Sequence, residues 1–387
     1  MIAFSWYAYT DLKILVDAVY PSLSGLVLYM SLTYMNFIRE ERQKKQVRGA
    51  FSMYMSPALV EKLADDPDLL RLGGEMKEMT LLFADIRGFT TISETYKEHP
   101  ESLTEFINKF LTPMTGVILE REGTIDKYMG DCIMAFWNAP LDDDQHPTHA
   151  CESALAMLKA CDDVGVIVKA QADERATQAR EAIVAAKERL EKGDAEAEQE
   201  IKTAEEMLVL AEKERELTVK IGIGLNTDIC CVGNMGSDQR FDYSVLGDGV
   251  NLASRLEGQS KTYGVPVVIG EETQRQAADY ACVELDLIQV KGQTRPTRIF
   301  GLLGDTETAS SQEFTGYKAR HDELLVAYRA QKWDEAATIS KECRGLCAVW
   351  GNTGLYDLID ERIAEYRVNS PADNEGNWGG VYVATTK

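Results

Sequence analysis

A short apolar run that stops on a carboxylate, Met79-Thr-Leu-Leu-Phe-Ala-Asp85, constrains the fold of this chain more than any other feature. It has the length of a strand, and its unbroken apolarity asks for cover on both faces. A second acid stands at a turn. Gly123-Thr-Ile-Asp-Lys-Tyr-Met-Gly-Asp131 and Cys132-Ile-Met-Ala-Phe-Trp137 read as two strands joined through Gly130-Asp131, a hairpin signal. Between these segments Leu103, Phe106, Ile107, Phe110 and Leu111 fall at helical spacing. Further strands are expected over 218–224, 229–232 and 265–269, with a helix over 249–262. This order predicts an α+β domain, a mixed sheet with helices packed on one face.

Three other regions differ in composition. Residues 18–38 form a run of 21 without a charge, and Arg39, Arg42, Lys44, Lys45 and Arg48 follow at once. An uncharged helix of that length spans roughly 30 Å, so a membrane helix is expected, in contact with lipid and with the chain beyond it in the cytoplasm. From Arg39 to about Leu70 the pattern is helical, with Ser56-Pro57 as a fresh helix start. Over 170–218, 22 of 49 residues are charged, yet Ala176, Ala179, Ile183, Ala186 and Leu190 keep a heptad-like spacing. So do Ala197, Ile201, Ala204, Leu208 and Ala211, beyond Gly193. An antiparallel helical hairpin, or one solvated helix kinked at Gly193, fits that pattern. The domains expected are a membrane segment over 1–38, a helical connector over 39–74, a catalytic domain over 75–305 holding the insertion, and a helical extension over 306–387 ending in a strand-like tail.

Charge and cysteine usage exclude some functions. With 41 basic and 63 acidic side chains the net charge is −22, which argues against nucleic acid as a partner. The eight cysteines are scattered without a CxxC, neither a disulfide framework nor a zinc site. His146 and His149 follow an acidic run before a helix start, where a cap is the simpler reading.

Asp85 and Asp131 would project from one sheet edge if their strands are neighbours. Hard carboxylate oxygens suit Mg²⁺, which takes one or two carboxylates together with substrate phosphates. Ile86-Arg-Gly-Phe-Thr90 leads from Asp85 into a helix start, whose free N–H groups suit phosphate. A lone strand-end aspartate is more commonly a turn or cap residue.

The surrounding residues change that balance. Phe83-Ala-Asp-Ile-Arg-Gly-Phe-Thr-Thr-Ile-Ser-Glu94, Lys127-Tyr-Met-Gly-Asp-Cys-Ile-Met-Ala135 and Tyr243-Ser-Val-Leu-Gly-Asp-Gly-Val-Asn-Leu-Ala-Ser-Arg255 closely resemble the signature blocks of class III nucleotidyl cyclases, in the family's order. The flanks, Arg48-Gly-Ala-Phe-Ser-Met-Tyr-Met-Ser-Pro57 and Trp-Gly-Gly-Val-Tyr-Val-Ala-Thr-Thr-Lys387, resemble bacterial adenylate cyclases that carry a CHASE2 sensor. Seventeen residues before the uncharged run leave no room for that sensor, which is expected to be absent or truncated.

The resemblance implies a ferredoxin-like catalytic fold, a bacterial inner-membrane enzyme and conversion of ATP to cyclic AMP and pyrophosphate. It implies two Mg²⁺ or Mn²⁺ ions on Asp85, Asp131 and the Ile86 carbonyl, and phosphate contacts at Phe89 and Thr90. Lys127 and Ser244 stand at the family's base-reading positions, where a guanylate cyclase would carry Glu in place of Lys127. Ser244, where many adenylate cyclases have Asp, could also be a structural hydroxyl. Asn251 and Arg255 match the residues that orient the ribose and stabilise charge at the α-phosphate. Lys291 matches a contact to the terminal phosphates, with Arg295 as its alternative. Active sites shared across a homodimer follow from the same likeness. A guanylate cyclase and a non-catalytic nucleotide-binding signalling partner are the competing readings.

Overall fold

The computed structural model describes residues 2–14, 19–51, 73–237, 239–289, 296–371 and 378–383. The chain divides into two compact units, Met1–Leu69 and Leu70–Lys387. In the first, α1 covers Ile2–Thr10 and α2 covers Val19–Phe51. The uncharged run lies within α2, with Leu23, Leu26, Leu28 and Phe37 exposed. Among the described residues, however, no helix is long and apolar enough to cross a membrane. This corrects the expected membrane span over 18–38. The physical reason is dilution, since Ser24, Ser31, Thr33 and Asn36 interrupt the aliphatic residues and lower the mean hydropathy. The helix start at Ser56-Pro57 lies outside the described residues.

The second unit is built on one mixed, nine-stranded sheet. Strand β1, Gly73–Ile86, is longer than the expected 79–85 and pairs antiparallel with β4, Ile221–Ser237, from Gly73↔Asn234 to Ile86↔Ile221. The two strands expected over 218–224 and 229–232 are therefore one. On the other side β1 pairs with β3, Cys132–Trp137, and β3 with β2, Thr124–Met129. Strand β5, Arg240–Leu246, pairs back along the far half of β4. The order β2-β3-β1-β4 continues through β6, Val267–Gly270, β8, Thr297–Gly304, and β7, Ala281–Gln289, to β9, Val381–Val383. The pairs β4–β6 and β7–β9 are parallel.

Alternation in β1 decides which helices it meets. Leu82, Ala84 and Ile86 pack under Phe106, Phe110, Met114 and Ile118 of α4, Pro100–Leu119, and under Ala150, Ala154 and Met157 of α5, His146–Glu191. Full burial of each large side chain here is worth about 1.5–3 kcal/mol. Between β1 and α4 lies the short α3, Phe89–Thr95. Met79, Leu81 and Phe83 face the other way, toward Met134, Phe136, Val245 and Ala253. Ala253 belongs to α7, Asp248–Thr262, so helices cover both faces of the sheet. This corrects the expectation of helices on one face only. The second cover is allowed by Gly224, where a Cβ would sit 2.2 Å from the Glu257 nitrogen and 2.3 Å from the Ala253 carbonyl oxygen.

Residues 170–218 do form a helical hairpin. Its first arm is the continuation of α5 through Glu191, and its second is α6, Glu196–Glu216. Ala176, Ala179, Ala186, Ala197, Ala204 and Ala211 are buried along the seam. Arg175–Glu214 at 2.8 Å and Arg180–Glu212 at 3.2 Å cross between the arms.

Beyond β8 and a short α8, Glu271–Gln276, between β6 and β7, the chain turns helical. Helices α9 (Thr306–Ser310), α10 (Gln312–Arg329), α11 (Trp333–Leu346) and α12 (Thr353–Val368) follow. Phe314, Tyr317, Leu324 and Ile359 share one core with Leu252, Leu256 and Tyr263.

Gly224→Ala is expected to lower stability by about 2–3 kcal/mol, because backbone atoms block the new methyl group. Gly116→Ala, where nothing lies within 4 Å inside α4, is expected to gain up to about 1 kcal/mol. Urea denaturation of the two variants measures both.

Candidate active site

The β1–β3 pairing brings Ala84 opposite Ile133, so the strand-end Asp85 and the hairpin-turn Asp131 meet at one edge of the sheet. Gly130 in the hairpin turn takes a left-handed φ of 69°, which a side chain would strain. Asp85 and Asp131 are close enough to share a hydrogen bond when one carries a proton. Burial first, and then the Asp131 charge, push the Asp85 carboxyl up from its ordinary value to about 7. Glu257 of α7 adds to the push and Arg87 opposes it. Arg87 sits 3.7 Å from Glu257, and its own pKa is lowered by burial.

Two carboxylates held together with one counter-charge at partial distance suit a cation that the chain itself does not provide. Asp131 Oδ2 is buried and accepts no hydrogen bond, an acceptor left open in the edge. This donor set, hard oxygens only, fits Mg²⁺ or Mn²⁺. Ile86, buried, ends β1 beside Asp85. Gly88, with φ 68°, turns the chain so that Phe89 and Thr90 open α3.

A second cluster lies on β2 and β5. Strand β5 returns over the sheet, with Tyr243 6.3 Å from Phe136 between ring centroids. Lys127 Nζ donates to Ser244 Oγ at 3.3 Å, so the sequence-predicted pair is in contact. Ser244 Oγ donates in turn to Asp126 Oδ2 at 2.7 Å. Asp126 was not singled out from sequence, since neighbours in a strand point to opposite faces. The register shifts between Ile125 and Lys127, a bulge that lets both Asp126 and Lys127 reach Ser244.

Asn251 and Arg255 lie exposed on α7, one turn apart. Among the described residues neither joins the carboxylate pair or the Lys127 cluster by a hydrogen bond or ion pair. Lys291 and Arg295 lie outside the described residues. At the start of α5, Asp143 Oδ1 accepts from the Gln145 N–H, and Asp143 Oδ2 lies 2.9 Å from His149 Nδ1. Glu122 stands within reach of the same group, so Glu122, Asp143 and His149 have the spacing of a cation site. The Asp143 contacts account for it as a turn closed onto the helix.

The geometry agrees with the comparisons. The family model described as adenylate and guanylate cyclase catalytic domain matches residues 74–304. Adenylate cyclase 1 of Rhizobium meliloti is 28% identical over 264 residues, 68% of this chain and 33% of that protein. The adenylate cyclase of Anabaena cylindrica is 31% identical over 228 residues, 58% of this chain and 36% of that protein. The crystal structure of the adenylyl cyclase CyaB from P. aeruginosa covers 60% of this chain and 97% of its own at 30% identity, with a TM-score of 0.43. The chain thus spans about a third of the length of the two curated adenylate cyclases. The family match ends short of both flanks on which the CHASE2-type likeness rests.

The raised Asp85 pKa gives a signed prediction. The folded protein holds a proton that the unfolded chain releases above its ordinary value of 3.8, so stability falls as pH rises from about 4 to about 7. Asp85→Asn removes that slope. With chelator present, urea denaturation should find the variant gaining about 1–2 kcal/mol on the wild type across this window. Parallel curves for the two proteins would contradict the buried pair.

Proposed function

We propose that this chain, which belongs to the adenylate and guanylate cyclase catalytic family, converts ATP to 3′,5′-cyclic AMP and pyrophosphate. The observation that carries the cyclase reading is the Asp85–Asp131 pair at the end of β1, with the open acceptor Asp131 Oδ2. Asp85, Asp131 and the Ile86 carbonyl would hold two Mg²⁺ or Mn²⁺ ions, which supply Lewis acidity at the phosphates when bound.

In this reaction the ribose 3′ oxygen forms a bond to the α-phosphorus while the bond to the pyrophosphate oxygen breaks. The 3′ hydroxyl proton leaves to solvent. The chain's own contribution is positioning and electrostatics. Phe89 and Thr90, at the start of α3, would place the phosphates over the carboxylate pair. Lys291, in the segment before β8, is the proposed contact to the terminal phosphates.

The choice of ATP is supported by Lys127. An ammonium is a donor only, so it meets the N1 acceptor of adenine and opposes the N1–H of guanine. GTP is the competing substrate.

Asn251 and Arg255 are exposed on α7, away from the acids of their own chain in the bonding network, and they would complete the site of a second copy. One protomer then supplies Asp85 and Asp131, and its partner supplies Lys127, Ser244, Asn251 and Arg255.

Incubating the wild type with ATP or GTP and Mn²⁺ and separating the products tests the substrate. Cyclic AMP is expected in excess over cyclic GMP, and no cyclic product from either would sink the reading. Asp85→Ala should cut turnover by about a hundredfold or more, because the phosphate clamp loses a ligand. Asp85→Ala mixed with Arg255→Ala should recover about a quarter of wild-type activity. Half of the randomly paired dimers then hold one intact site of two. No recovery, with mixed dimers confirmed by sedimentation, would place each site within one chain.

A further inference from the structure

Asp126 has a fully buried side chain on β2, where the next three residues, Lys127 to Met129, are exposed. Its Oδ2 accepts the Ser244 hydroxyl at 2.7 Å. Its Oδ1 lies 3.1 Å from Lys127 Nζ but accepts no hydrogen bond. The bulge at Ile125/Lys127 puts this carboxylate on the same side as its neighbour, where regular alternation would send it away. A carboxylate buried in this way needs its ammonium and its hydroxyl partner held in place, which ties Lys127 and Ser244 to one group.

We propose that Asp126 is a positioning residue that fixes base choice by locking the Ser244 hydroxyl as an acceptor. The inference rests on the cyclase reading above and deepens it. A serine hydroxyl has one proton and two lone pairs, and it can serve as donor or acceptor toward a base. Here the proton is committed to Asp126 Oδ2, because a carboxylate only accepts. One lone pair takes the Lys127 N–H. What remains toward the pocket is a lone pair beside a Lys127 N–H. That edge, acceptor next to donor, matches the 6-amino group and N1 of adenine. Guanine presents a 6-oxo group and an N1–H, and it opposes the edge at both points. Without Asp126 the hydroxyl would be free to turn its proton toward a 6-oxo group.

The same geometry says what Asp126→Asn would do. Lys127 Nζ sits next to the Oδ1 position, so the amide oxygen settles there and the NH₂ turns to Ser244. Ser244 then accepts from the amide and releases its proton toward the base. The variant is isosteric, and thermal unfolding checks that it folds.

The experiment measures kcat/KM for ATP and for GTP, and the displacement of a fluorescent ATP analogue by each nucleotide, in the full chain with Mn²⁺. Four proteins are compared: wild type, Asp126→Asn, Ser244→Ala and the double variant. The ratio of ATP to GTP is expected to fall about tenfold or more in Asp126→Asn, the scale of one exchanged hydrogen bond. In the Ser244→Ala background the same change should move the ratio less than about twofold, since the effect passes through the hydroxyl. Equal losses for both nucleotides would overturn the proposal and leave Asp126 as a structural residue. An undiminished effect in the Ser244→Ala background would also overturn it. A wild type without cyclic product sinks the cyclase reading alone, because the displacement ratio still decides the role of Asp126. A wild type that binds neither nucleotide sinks both.

Discussion

The antiparallel ladder between β1 and β4 is the constraint on which the rest of the second unit depends. It runs without interruption from Gly73↔Asn234 to Ile86↔Ile221. One end sets Asp85 against Gly222, where a Cβ would collide with the Arg87 guanidinium. At the other end β4 outruns the sheet and carries β5 back over it, which delivers Ser244 to Lys127. Gly222 and Gly224 also admit α7 closely enough for Glu257 to reach Arg87. A single pairing thus places the acids, the Lys127–Ser244 pair and the helix of Asn251 and Arg255.

The carboxylate edge is built against its own stability. Two acids share a partly buried position with a third, Glu257, whose pKa is also raised by burial. The one arginine nearby keeps a buried NH₂ without a hydrogen bond. Asp131 Oδ2 and this Arg87 nitrogen depart from the rule that buried polar groups are paired, and both fall at one strand end. Local consistency of this kind is commonly given up at a site. The buried hydroxyl chain of Thr80, Thr227 and Thr273 is the contrast. It links at 2.8 and 3.0 Å, continues from Thr80 Oγ1 to His146 Nδ1 at 2.8 Å, and ties β1 and β4 to helices α8 and α5.

Much of this was legible in residues alone, for reasons that can be named. Phe106, Phe110 and the rest of α4 repeat at helical spacing, and the Gly130-Asp131 turn admits few readings. The seam of small residues over 170–218 reads as a hairpin because alanines let two helices approach. What escaped had non-local causes. The cover on the second sheet face depends on glycines of β4, and a glycine announces no partner. Strand β7 was not expected, although Ala281, Val283, Leu285 and Ile288 are buried, since Glu284 and Asp286 break its apolar pattern. Asp126 escaped because a bulge is a property of the pair of strands, not of either one. In the uncharged run, hydroxyls and an amide among the aliphatic residues lower the hydropathy, which absence of charge alone does not reveal.

Asp286 shows what the break in β7 is for. It accepts from the Tyr263 hydroxyl at 2.6 Å and from Arg362 at 2.6 Å, all three buried. The Arg362 guanidinium lies 3.6 Å from the ring centre of Tyr382, on the terminal strand β9. Tyr263 is the residue that closes α7, and Leu252 and Leu256 of that helix share a core with Phe314, Tyr317 and Leu324 of the extension. Among the described residues the packing therefore continues to β9, well past residue 304 where the family match stops. A pair of charges buried this way adds little stability by itself, but it is intolerant of misplacement, because either partner alone would be a buried unpaired charge. The extension consequently fixes the far end of α7, while Gly224 fixes its contact with the sheet. Arg255 lies within the stretch that packs on Gly224, between Ala253 and Glu257, and Asn251 stands one turn before it on the same exposed side.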